Sequence, residues 1–319
     1  MEAVEYGLTF DAFSFLEDQS EPWITYNLAR LRGEAAADLF QDLCTHPKVQ
    51  WLVDQCVSWP HPPIFKVLDP GHPLHVLGVL ADLGLNKGDE WIRALSTIIA
   101  RDTEEGLPLA LFGKGSKPIR GSRKGWAICV SAKLLHILTS FGGEVEEGLR
   151  SLIWLSQSNG WRCEGSGHLP CPGWREDYCP IATLNCLKAL ADSRYTNSEA
   201  VQRGIEAVIN HWEEREVSKP HGFKITSQFE ELRYPTMGFD ILNVVDTLSR
   251  YKYAQGFDVF WELWSIIRLK QYSSGGFKAG RVYRFWGDWC FGQKSTESPW
   301  LTYKVLEIAK RLGLDSMTL

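Results

Sequence analysis

The chain has 319 residues, 44% hydrophobic and 23% charged, which supplies apolar material for a core of ordinary size. A net charge of −5 speaks against nucleic acid or an anionic membrane surface as the main partner. No apolar window reaches the roughly 18 residues of a membrane span, and the opening MEAVEYGLTF has neither the basic nor the apolar region of a secretory signal, so a cytoplasmic protein is predicted.

Taken in order, the chain reads as a helical repeat. FDAFSFLED, residues 10–18, is a short helix. EPWITYNLARLRG from Glu21 begins a longer one, and SPWLTYKVLEIAKRLG from Ser298 repeats its Pro-Trp-aliphatic-Thr-Tyr opening. Related openings stand at Pro73, Gly125-Trp126, Pro180 and Pro235, so the anchors 22, 73, 125, 180, 235 and 299 are 51 to 64 residues apart. Proline suits the first turn of a helix, where its missing N–H would have no partner anyway. Second helices are predicted from Ala35, Asp89, Val145, Ser198 and Phe257. The expected fold is all-α, an (α/α)6 double helical ring (toroid) of about six hairpins, with 1–319 as a single domain and residues 8–18 closing the ring against the last helix. An open helical solenoid fits the same repeat.

Connections within a pair are short, whereas those between pairs (59–72, 102–124, 159–179, 214–234 and 273–297) are long and gather on one rim. Long loops on a rigid scaffold are the usual seat of function. Counted from each anchor, the fifth residue is Asn27, Asn185, Asp240 or Lys304 and the eighth is Arg30, Lys188, Asn243 or Glu307. A three-residue step keeps each pair on one helical face. That stripe either faces a central lumen or forms ion pairs between neighbouring helices.

The loop and helix from Trp161 to Asp192 break the repeat. Cys163, His168, Cys171, Asp177 and Cys179 bring borderline and soft ligands together within 17 residues, and zinc is the metal such a set would hold. Without metal, Cys179 just ahead of a helix N-terminus is a candidate thiolate with Asp177 or His168 as its proton partner. Capping by Asp177 and plain packing of the cysteines explain the same residues. Trp174 lies in this loop as a substrate-facing aromatic. The loop KGSKPIRGSRKGW contributes Arg120, Arg123 and Lys124, which would clamp an anionic substrate or remain a solvated charge run. His75 and Asp240 are further acid–base candidates, and Asn185, Lys188 and Asn243 are candidates for substrate binding.

QSNGW (Gln157 to Trp161), QYSSGGF (Gln271 to Phe277), CPGWREDYCPIATLNCLKAL and WGDWCFGQKSTESPWLTY resemble segments of the alpha/alpha-toroid superfamily of prenyltransferase β subunits and squalene/terpenoid cyclases. In closer detail the last two segments resemble a prokaryotic, prenyltransferase-like branch. The resemblance implies an enzyme acting on an isoprenoid or similar small organic substrate in a central cavity. In protein prenyltransferases an Asp-x-Cys at the start of an inner helix holds zinc, and Asp177 and Cys179 match it. Their third ligand, a histidine opening the next inner helix, is replaced here by Pro235 and Thr236. The Asp-x-Asp-Asp proton donor of the cyclases and the Asp-Asp-x-x-Asp of ionising synthases are absent, which argues against squalene-type cyclisation. Two other functions fit a toroid: a carbohydrate-active enzyme using Asp240 with Asp177 or Glu307, and a non-catalytic ligand-binding ring.

Overall fold

The computed structural model describes residues 6–113, 122–167 and 176–314. These form thirteen α-helices and two short two-stranded antiparallel ladders. None of the described helices is long and apolar enough to cross a membrane. The chain divides into two compact units, Pro47–Lys224 and the pair of segments Met1–His46 and Ile225–Leu319.

The first segment holds α1 (Ala12–Glu17), α2 (Pro22–Arg32) and α3 (Ala37–Thr45). The Pro47–Lys224 unit holds α4 (Pro47–Cys56), α5 (Pro73–Asp82), α6 (Glu90–Arg101), α7 (Ile128–Ser140), α8 (Glu146–Trp154), α9 (Pro180–Leu190) and α10 (Glu199–Glu213). Here α5, α7 and α9 pack against one another in sequence order, and α4, α6, α8 and α10 lie against them. Residue pattern explains the division of labour. α7 buries Ile128, Cys129, Val130, Ala132, Leu134, Leu135, Ile137 and Leu138 on nearly every side, whereas α6 buries only the stripe Ile92, Leu95 and Ile99. A helix apolar all round belongs inside, and a one-stripe helix covers it.

Helix starts follow side-chain caps. Asp89 Oδ1 accepts the Ile92 N–H at 3.0 Å, and Ser198 Oγ accepts that of Val201 at 3.4 Å. The fifth opening departs from expectation: α11 spans Ile241–Leu248, six residues beyond Pro235, because Asp240 takes the cap and accepts the Asn243 N–H at 3.0 Å. α12 (Asp258–Arg268) and α13 (Pro299–Leu312) complete that unit, in which α13 packs on both α1 and α2.

The loop 102–124 carries strands that the helical repeat did not suggest. β1 (Thr103–Glu104) pairs with β2 (Leu107–Pro108), and β3 (Ala110–Phe112) with β4 (Arg123–Gly125). The β1–β2 turn places Glu105 at φ 52° and Gly106 at φ 76°, the left-handed pair that a two-residue hairpin requires.

The two Gln-to-aromatic motifs fold alike. Trp161 N–H donates to Thr183 Oγ1 at 3.1 Å, and Trp161 O accepts the Cys179 N–H at 2.7 Å. Phe277 N–H likewise donates to Thr302 Oγ1 at 2.9 Å, and Phe277 O accepts the Ser298 N–H at 2.7 Å. Each motif therefore pins its chain to the start of the following helix, α9 or α13. Each also turns at a left-handed glycine, Gly160 (φ 93°) or Gly275 (φ 91°). The RFWGDWCFGQK segment from Arg284 is core: Trp286, Trp289 and Phe291 are buried beside Trp23, Tyr234 and Trp300.

Candidate functional site

Pro180 opens α9, and Cys179 is its cap residue, buried and held by its backbone N–H on Trp161 O. Asp177 is partly exposed two residues earlier. Between them Tyr178 donates its O–H to His211 Nδ1 on α10, while His211 Nε2–H donates to Phe223 O at 3.0 Å. The two bonds fix the neutral tautomer of the ring. Burial holds His211 down at about 4 and pushes the Tyr178 phenol well above its ordinary value. This pair locks the start of α9 against α10, and so positions Asp177 and Cys179.

Cys163 is partly buried in the same unit. His168, Cys171 and Trp174 lie outside the described residues, as does Arg120. Among the described residues no three His, Cys, Asp or Glu side chains are grouped so as to hold a metal ion. Arg123 and Lys124 are exposed on β4, with Lys124 paired to Asp102.

A second constellation lies on α5, α7 and α9. His75 on α5 is 2% exposed, with Nε2 2.5 Å from Val67 O and Nδ1 3.0 Å from Lys133 Nζ on α7. With Nε2–H committed to the carbonyl, Nδ1 is the acceptor and Lys133 the donor. Burial, then the neighbouring Lys133, drive His75 well below its ordinary value. Lys133 falls to about 8, first through burial and then through the charge of Lys188 on α9, against a smaller upward pull from Asp82.

The side chain of Lys133 crosses α5 at its one glycine. A Cβ on Gly78 would lie 3.1 Å from Lys133 Cε. Asn185 Nδ2 ties α9 to α7 through Cys129 O at 2.7 Å. On these otherwise buried helices Gly78, Lys133, Asn185 and Lys188 all keep part of their surface open. The structure thus joins His75 and Lys188 through Lys133, which the sequence reading did not single out, while Asn185 reaches α7 through Cys129 O. The signal was present: Lys133 is the eighth residue from the 125 anchor, the same place as Lys188 in its own unit.

Asp240 and Asn243 belong to the other unit. Asp240 is fully buried, with Oδ2 3.0 Å from Arg233 Nε and Oδ1 on the α11 cap, and Asn243 Nδ2 donates to Gly238 O at 2.6 Å. Both oxygens of Asp240 are thus engaged, one by the helix start and the other by Arg233. Lys304 and Glu307 on α13 form an ion pair at 2.5 Å, which Arg311 extends to Asp246 at 3.3 Å.

No family model matches this chain, and no curated protein matches it either. A lysine amine lowered to about 8, oriented by a neutral histidine and set beside a second lysine, suits proton transfer next to a bound anion.

Proposed function

We propose that the helices close into an (α/α)6 toroid and that the chain is an enzyme of the prenyltransferase and terpenoid-cyclase kind, binding a small organic anion across α5, α7 and α9. The toroid reading is supported by the ordered packing of α5, α7 and α9 under α4, α6, α8 and α10. The observation that carries the functional reading is the Lys133–Lys188 pair, two amines on one partly open face, where the charge of Lys188 adds to burial in lowering Lys133. In this reading Lys133 moves the proton, His75 fixes its direction, and Lys188 with Asn185 holds the anionic end of the substrate. Asp177 and Cys179, at the start of α9, flank the substrate's other end. A polar face of this kind matches the diphosphate of an isoprenoid better than its hydrocarbon.

Thermal unfolding with geranyl diphosphate, geraniol and cellobiose tests the proposal. The diphosphate is expected to raise the midpoint of the wild type, as any ligand of the folded state does, and to lose its effect in Lys133→Met and Lys188→Gln. Stabilisation by cellobiose alone, or an equal diphosphate effect in both variants, overturns it.

A further inference from the structure

In the unit that contains α12, a cleft of about 460 Å³ opens between the end of that helix and the segments around residues 231 and 279, within the size range of small-molecule sites. Lys270, Lys278 and Lys294 line it together with Glu231, Tyr272 and Leu232. Three cations against one carboxylate is an inverted balance for a chain of net charge −5. Lys278 Nζ lies 4.3 Å from the Tyr272 ring centre and 3.8 Å from Glu297 Oε1. The ammonium groups of Lys270 and Lys294 meet no carboxylate among the described residues.

The walls are held in place before any ligand arrives. Gln271 Oε1 accepts the N–H groups of Thr9 and Phe10, both at 2.9 Å, while Nε2 donates to Phe10 O at 2.9 Å and Gly275 O at 3.0 Å. Opposite, Gly280 N–H donates to Leu232 O at 2.9 Å. A Cβ at Gly280 would stand 2.9 Å from Glu231 Cβ, so only glycine lets that segment lie against Glu231.

We propose that this cleft is a binding site for a small phosphate monoester bearing hydroxyl groups. Lysine is a point charge with rotatable donors and binds phosphate as such, so three lysines in one cleft suit a compact dianion. Glu231 gives the hydroxyls an acceptor, and Tyr272 with Leu232 gives the carbon skeleton an apolar wall. The site is separate from the one on α5, α7 and α9 and does not depend on it.

The test is calorimetric titration of the whole chain with glucose 6-phosphate, with glucose and inorganic phosphate in parallel. The sugar phosphate is expected to bind more tightly than either control. Lys270→Glu with Lys294→Glu, at a partly exposed and an exposed position, should weaken it by at least about tenfold, the worth of one charge-assisted bond. Lys133→Met should leave it unchanged. No heat from the sugar phosphate, equal affinity for free phosphate, or loss in Lys133→Met with the cleft variant unaffected overturns the proposal. Circular dichroism matched to the wild type confirms that the charge-reversed chain is folded.

Discussion

His75 Nδ1 and Lys133 Nζ lie 3.0 Å apart, and the carbonyl of Val67 on the far side of the ring decides which of them donates. Lys133 resists its own charge because it is buried and faces the charge of Lys188. Its pKa of about 8 in the fold against about 10.4 in the unfolded chain means that the unfolded state binds more protons between these values. Stability must then rise with pH across that window, by up to roughly 3 kcal/mol, less what partial exposure screens. Lys133→Met removes this slope. Urea unfolding from pH 8 to 10 should show the wild type gaining on the variant, and parallel curves would refute the shift.

His211 gives the opposite end of the pH range. It is neutral in the fold, with a pKa lowered to about 4 by burial, while the unfolded ring takes its proton near 6.5. The stability is complete above that unfolded value and is lost as pH falls towards 4, by roughly 3 kcal/mol. His72 and His75 are lowered by burial too and act in the same direction. His211→Phe should therefore show a visibly smaller loss between pH 7 and pH 4.5 than the wild type in chemical denaturation.

Gly204 in α10 lies against the ring of Trp161, and a Cβ there would come within 2.5 Å of Trp161 Cζ3. Alanine ordinarily strengthens a helix interior, but here overpacking outweighs the propensity gain. Gly204→Ala should destabilise by about 1–3 kcal/mol, read as a lower urea midpoint at unchanged slope.

Asp246 is 3% exposed and receives Arg311 at 3.3 Å and Arg250 at 3.6 Å. Removing the charge takes this carboxylate from two guanidinium groups that are themselves largely buried, and leaves Arg311 to Glu307 at 3.7 Å. Asp246→Asn is expected to lose about 2–4 kcal/mol in equilibrium unfolding, while Glu199→Gln, whose carboxylate is exposed in its pair with Arg203, should change little.

Much of the helical layout was legible because its signals are local. Asp89, Ser198 and Phe257 precede apolar stripes, and helices begin immediately after them. Pro235 misled for a local reason as well: proline permits a helix start but does not hold one, and Asp240 supplied the side-chain acceptor. The strands at 103–125 are two or three residues long, too short for an alternating pattern to register. The site was half legible. Lys188 and Asn185 stood out as polar residues in an apolar helix, yet the same register was not carried to Lys133. The Tyr178–His211 bond joins residues 33 apart in sequence, and nothing in either segment announces the other.

The central claim is that Lys133 is a titratable, reachable amine beside a second cation. Competitive labelling of lysines with acetic anhydride across pH 6 to 11, read by mass spectrometry of peptides, measures this directly. The account predicts half-maximal reactivity of Lys133 near pH 8, moving upward in Lys188→Gln as the neighbouring charge is removed. Titration of Lys133 with the ordinary surface lysines near 10.4, or a midpoint indifferent to Lys188→Gln, would contradict it.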